Sequence, residues 1–245
     1  LEDLDKKIND FFCWNIIFHK IFKLNGGFDI MLANPPYVRQ EKIIHFKDRL
    51  KRKYNLFNST SDLYVYFYEL SFNLLKEKGT SVFITSNKWM RAKYGKLLRI
   101  FFKHEVCLSE IMNFSEMKVF ENAITNTNIT VFSKNKSKNE SINYTEFSKD
   151  QSSDDLNEFY NKNSIPIIKN KLDLENFYFL DKKNENLKYK IENKCEPLVN
   201  FNYKIYKGIY TGFNEAFIIN DKTKNDIINK SNRTLKFIKP ILRGR

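Results

Sequence analysis

Cysteine is scarce in this chain. Cys13, Cys107 and Cys195 are the only three among 245 residues. An odd number of widely separated cysteines builds neither a disulfide framework nor a metal-ligand spacing, so reduced thiols are expected. Histidine is equally sparse, and His19, His45 and His104 are scattered. No metal centre is expected, and no nucleophile–base pairing is legible. No apolar run approaches the roughly 18 residues that suggest a membrane span, so no membrane partner is expected. The opening Leu1-Glu2-Asp3-Leu4-Asp5-Lys6-Lys7 is charged, unlike a secretory leader, and a cytoplasmic location is expected. It also lacks an initiator Met, so Leu1 is not read as a natural N-terminus. Acidic residues are the minority: 29 Asp+Glu stand against 42 Lys+Arg, leaving +13 and a pI near 9.4. That balance favours a polyanionic partner. No internal repeat is present.

What the chain does have is enough apolar sequence, 42%, for a substantial core. It also has one short segment rich in chemistry, Asn34-Pro35-Pro36-Tyr37. The preceding run Phe28-Asp29-Ile30-Met31-Leu32-Ala33 has no breaker and ends in two prolines, so it predicts a buried strand emptying into a rigid loop. Open α/β sheets place ligands beyond the carboxyl ends of their strands. An exocyclic amine on a planar base is a poor nucleophile because its lone pair is delocalised into the ring. Two acceptors around it, the Asn34 amide oxygen and the Pro35 carbonyl, would draw the nitrogen toward tetrahedral geometry. Pro35 and Pro36 would hold those carbonyls still, and Tyr37 offers a flat face for stacking. This is catalysis by positioning and electrostatics. The competing reading is a turn that merely ends a strand.

Further along, Asn25-Gly26-Gly27 makes a turn into that strand. A basic stretch, Arg39, Lys42, Lys47, Arg49, Lys51, Arg52 and Lys53, reads equally as a DNA-contacting loop or a solvated helix face. Ser59-Thr60-Ser61-Asp62 is a cluster of N-cap residues, predicting a helix from about Asp62 to Lys78 that stops at Gly79. Leu63, Phe67, Leu70 and Leu74 form its expected buried stripe, and Tyr64, Tyr66 and Tyr68 read as packing and surface aromatics. Thr80–Thr85 predicts a second strand and Lys93–Lys103 another helix, an order that implies a parallel sheet. Strands near Cys107–Phe114 and Asn128–Phe132 are expected to pair antiparallel at a sheet edge. Residues 133–163, rich in Lys, Asn, Ser and Asp, read as an insertion or linker.

Several ordered segments together resemble a known family. They are Phe28-Asp29, Asn34–Tyr37, Ser61–Glu69, Ile84–Ala92, Tyr94–Arg99, Phe114, Val119-Phe120, Gly208–Phe217 and Lys239–Arg245. The chain resembles the N6-adenine DNA methyltransferases of the gamma arrangement, in particular those within type IIG restriction-modification enzymes and related phage-defence methylases. The resemblance implies a partner, double-stranded DNA, and a methyl donor, S-adenosylmethionine. It implies that Asn34 and Pro35 accept hydrogen bonds from the amine of a flipped adenine, with Pro36 completing the motif. Tyr37 would stack on the base and Phe120 contact it from another side. Arg39, Lys42, Lys88 and Arg91 are the expected DNA contacts.

The departures from the family are specific. Only 33 residues precede Asn34, and none forms the glycine-rich cofactor loop expected on an earlier strand. The acidic residue for the ribose is missing too, so no cofactor-binding residue is assigned. The expected fold is α/β: the C-terminal half of a Rossmann-like methyltransferase sheet, followed by the start of a target-recognition domain. The expected division is catalytic region 1–135, polar linker 136–170 and recognition region 171–245. The chain reads as an internal piece of a longer protein or one part of a split one, inactive alone and partnered by the missing parts. Two other readings use the same residues: a methyltransferase for a glutamine amide or an RNA guanine amine, and a catalytically silent DNA-binding fragment.

Overall fold

The computed structural model describes residues 12–114, 117, 119, 126–135, 140–147, 155–204 and 214–241. The chain forms two compact units, Leu1–Lys190 and Ile191–Arg245. The first contains a six-stranded mixed sheet in the order β1-β2-β4-β3-β5-β6. The strands are β1 Phe28–Ala33, β2 Leu75–Ser86, β3 Cys107–Phe114, β4 Thr127–Ser133, β5 Ser141–Glu146 and β6 Ile165–Ile168. The β1/β2 and β3/β5 pairs are parallel, and β4 runs antiparallel to both its neighbours.

The core lies between the sheet and two helices, α4 (Tyr64–Leu74) and α5 (Lys96–His104). Its centre is aromatic. Tyr68 packs 5.2 Å from Phe83 and 5.1 Å edge-on to Phe102, which lies 5.8 Å from Phe132. Such tilted and edge-to-face pairs add to the gain from area burial. Three shorter helices precede α4: α1 Trp14–Ile17, α2 His19–Asn25 and α3 Lys47–Lys53. Gly26 ends α2 in the left-handed conformation, φ 77°, and Gly27 follows at φ 147°, where a Cβ would meet the Leu74–Lys76 backbone within 2.7 Å.

Several expectations change here. Helix α4 ends at Leu74 rather than Lys78, because Leu75 already pairs with Phe28 of β1. The residues between Leu75 and Thr80 form a bulge, with Lys78 at φ 65°. The α4 stripe is also different. Tyr64, Val65, Tyr66 and Tyr68 are buried, whereas Leu63, Phe67 and Leu70 are partly exposed. The β3/β4 pair is antiparallel as expected, but it occupies the middle of the sheet, because β5 and β6 continue beyond β3. The sheet is therefore mixed rather than parallel. The segment 136–170 reads as a linker in sequence, yet it supplies β5, helix α6 (Leu156–Asn163) and β6. Leu172 and Phe177 are core residues of the first unit, so that unit runs past 171.

Strand β1 is an edge strand and not a buried one. Ile30 is 64% and Leu32 73% exposed, since among the described residues β1 has a neighbour on one side only. The second unit contains the end of α7 (Lys182–Lys194), α8 (Asn214–Phe217) and α9 (Asp221–Lys230). The Asn220 side chain caps α9 by accepting from the Thr223 amide at 2.8 Å. Among the described residues no helix is long and apolar enough to cross a membrane, and no group of three His, Cys, Asp or Glu could hold a metal.

Candidate active site

Asn34 to Tyr37 leave the carboxyl end of β1, where the sheet stops and the chain turns. Asn34 and Pro36 are exposed, Pro35 is buried and Tyr37 is half-buried. The segment is held at three points. The Tyr37 hydroxyl donates to the Ile84 carbonyl on β2 at 3.2 Å. The Leu63 amide donates to the Val38 carbonyl at 2.9 Å. The Gln40 amide donates to Asp62 Oδ1 at 3.2 Å. Tyr37 also lies edge-on to Tyr64, centroids 6.4 Å apart. Burial raises the Tyr37 pKa, so its hydroxyl stays a donor at neutral pH.

Behind this segment stand more tyrosines. The Tyr64 and Tyr94 hydroxyls meet at 3.1 Å. Burial pushes Tyr64 well above the ordinary tyrosine range and Tyr94 up to about 12. The Tyr68 hydroxyl bonds Thr85 Oγ1 at 2.8 Å, and the same polar cluster reaches Asn128 and the Trp89 indole, which donates to Asn128 at 3.2 Å. Buried and satisfied, these groups lock the end of β2 against the turn Asn87–Met90.

That turn carries Lys88, and Arg91 follows it; both are exposed. The buried Arg99 guanidinium ties the turn down, donating to the carbonyls of Trp89 and Ala92 and to Leu174. Residue 177 adds a backbone bond to Met90 at 2.9 Å. Beside the turn lies a cleft of about 480 Å³.

The cluster Ser59–Asp62 reads as a helix cap, but the α4 N-terminus has no side-chain cap, and the Asp62 carboxylate instead holds Gln40, 22 residues earlier. The short spacing to the helix favoured the local reading, and nothing in the linear pattern signals the long-range bond. Burial raises the Asp62 pKa, opposed by the Gln40 amide, Lys88 and Arg39. A carboxyl whose folded pKa lies above its unfolded value favours folding most at low pH, and that contribution is lost as pH rises through the folded pKa. Asp62→Asn keeps the Oδ1 acceptor and removes the charge. It is expected to raise the melting temperature at pH 7 relative to the parent, with the two chains converging near pH 3; equal melting at both pH values would refute the assignment.

The expected DNA contacts are split by the fold. Arg39 and Lys88 lie within electrostatic reach of Asp62, which holds Gln40. Lys88 and Arg91 line the cleft. Lys42 is exposed on a 3-10 turn, Gln40–Phe46. Of the basic stretch, Lys42 lies on this turn and Lys47–Lys53 on α3, while Arg39 precedes them in extended backbone, and Glu69 anchors the far end by accepting from the Asn55 and Leu56 amides at 3.0 and 2.9 Å. Phe120 lies outside the described residues, as do most of Gly208–Phe217 and the last four residues.

Among the described residues the edge of β1 opposite β2 is bare, and no glycine-rich turn follows a strand.

Comparison with known proteins identifies relatives of this chain. Residues 1–120 match the family described as Eco57I restriction-modification methylase. The type II methyltransferase M.BstVI of Geobacillus stearothermophilus is 39% identical over 102 residues, 40% of this chain and 18% of that protein. The type II restriction enzyme and methyltransferase RM.Eco57I of Escherichia coli is 30% identical over 215 residues, 83% of this chain and 21% of that protein. The chain therefore spans about a fifth of the length of these relatives. The type IIL restriction-modification enzyme MmeI, solved in complex with DNA, superposes with a TM-score of 0.57 at 15% identity, over 91% of this chain and 28% of that one. The sheet is consistent with a Rossmann-like methyltransferase fold.

Proposed function

We propose that this chain carries the base-holding side of a DNA adenine-N6 methyltransferase of a restriction-modification system. The observation that carries this reading is the Asn34–Tyr37 segment, clamped at the carboxyl end of β1 by Tyr37, Val38 and Gln40. The backbone that follows the exposed Asn34 amide is fixed at Tyr37, Val38 and Gln40, and two prolines restrict the link between them, which favours a pre-organised acceptor. The matches to type II methyltransferases and the charge of +13 support DNA as the partner. A paired adenine hides its amine, so the base must leave the duplex to reach Asn34.

In this reading Asn34 Oδ1 and the Pro35 carbonyl accept from the amine and localise its lone pair. Tyr37, oriented by Ile84, presents its ring to the base, and Arg39, Lys42, Lys88 and Arg91 hold phosphates. S-adenosylmethionine would supply the methyl group from a site outside these residues, on polypeptide that completes the sheet beyond β1. The exposed Ile30 and Leu32 support that placement. The glutamine-amide and RNA-guanine alternatives are not favoured, because the named relatives are restriction-modification proteins.

The test offers radiolabelled S-adenosylmethionine and duplex DNA to this chain and to the full protein its gene encodes, with digestion to nucleosides. The expected result is N6-methyladenine from the full protein and none from the 245 residues. Label in cytosine, in protein or in RNA would overturn the reading. Transfer by the 245 residues alone would overturn the placement of the donor.

A further inference from the structure

The cleft beside the turn Asn87–Met90 is built differently from the Asn34 segment. Its floor is a continuous chain of polar groups. Asn87 Nδ2 donates to Asn113 Oδ1 at 2.9 Å, and Asn113 Nδ2 donates to both Glu146 carboxylate oxygens at 3.1 and 3.0 Å and to the Tyr144 hydroxyl at 3.2 Å. The Tyr144 hydroxyl also donates to Glu146. Asn113 and Tyr144 are 5% and 6% exposed, so this floor is rigid, while Glu146 reaches solvent. One wall is aromatic, with Tyr144 and Phe179 stacked at 4.3 Å and 10°. The rim is cationic: Lys88 is exposed, and the Arg91 guanidinium lies 5.8 Å from the Tyr178 ring centroid.

The distribution of charge selects a ligand. A carboxylate at the floor repels an anion there and accepts from an amine. Lysine and arginine at the rim attract an anion. The aromatic wall suits a planar ring, and about 480 Å³ is in the range of small-molecule pockets. We propose that this cleft binds one unstacked nucleotide whose base carries an exocyclic amine, with its amine toward Glu146 and its phosphate on Lys88 and Arg91. Acceptance of an amine by a glutamate is a known mode of base discrimination. The site is distinct from the Asn34 segment, none of whose residues lines it. The proposal rests on the reading of DNA as partner, and it adds a second place where the strand is held.

Isothermal titration of the 245-residue chain with dAMP, dCMP and dTMP tests it. The amine-bearing nucleotides are expected to bind about tenfold more tightly than dTMP. Glu146→Gln is expected to narrow that preference to about threefold or less, and Arg91→Ala to weaken all three by about tenfold, the latter with an unchanged melting temperature. In an Asn34→Ala background the same effects of Glu146→Gln and Arg91→Ala are expected. Equal affinity for all three nucleotides, or no binding, overturns the proposal. Loss of binding in Asn34→Ala but not in Arg91→Ala also overturns it, and leaves the reading of Asn34 standing. Mononucleotide binding by a chain whose full protein neither binds nor methylates DNA would support the cleft while refuting the function proposed above.

Discussion

Asn34→Ala is expected to lower methyl transfer to adenine by the full protein by about 10²–10³-fold, the cost typical of removing one positioned group that meets developing charge. The side chain is exposed and no hydrogen bond within the chain depends on it among those described, so the fold should be spared, with stability changed by no more than about 0.5 kcal/mol. DNA affinity comes mainly from phosphate contacts, which this change does not touch, and should stay within about twofold. The loss should therefore appear in the single-turnover rate rather than in binding. Single-turnover transfer and fluorescence anisotropy on the same preparation separate the two. A mutant with near-normal turnover would mean that the Pro35 carbonyl alone suffices, or that the amine is held elsewhere.

Arg99→Met is expected to destabilise the first unit by about 3 kcal/mol, read as a lower urea midpoint with unchanged slope. Arg99 is fully buried, and its guanidinium satisfies the carbonyls of Trp89, Ala92 and Leu174. Burial lowers its pKa from the ordinary value, but a guanidinium remains charged. Methionine fills similar volume yet leaves one buried and two half-buried acceptors without their donor, at roughly 1–3 kcal/mol for the buried one and less for the others. Lysine has one compact ammonium and cannot span three carbonyls, so Arg99→Lys should recover less than half of the loss. Gly95→Ala should act on the same turn from above, since a Cβ there would stand 2.0 Å from the Trp89 carbonyl oxygen. If Arg99→Met melted like the parent, the turn would be held by its own hydrogen bonds and by the Trp89 packing alone. Both changes should also disturb the cleft, because Lys88 and Arg91 ride on this turn.

The legible part of the fold was the part written in local pattern. The run Phe28–Ala33 and the segment Thr80–Thr85 each specify a strand without outside help, although Leu75–Lys78 of β2 reads as helix, and both strands border the candidate site. Helix α4 shows where pattern fails. It is apolar on both sides, so its period permits either the leucine stripe or the tyrosine stripe to face inward. The tyrosines win because their hydroxyls find Tyr94 and Thr85 across the core, and those partners lie 30 and 17 residues away. β5 was missed because Ser141–Glu146 reads as polar. Its buried residues Ile142, Tyr144 and Thr145 are covered by neighbours that sequence order does not reveal.

By itself the sequence determined the chemistry on offer: an amide, two prolines and an aromatic ring after a strand, in a basic chain with too few cysteines and histidines to suggest metal or covalent catalysis. Residue identity decides which hydrogen bonds and charges exist, and that is a local property. Only the tertiary structure decided what those residues touch. It placed Asp62 on Gln40 instead of on a helix end, buried Arg99 under the Trp89 turn, and assembled Asn87, Asn113, Tyr144 and Glu146 into one floor from three strand ends. Those partners are separated by tens of residues. Bringing them together costs chain entropy that only the cooperative packing of the whole sheet repays, so no segment carries the information alone.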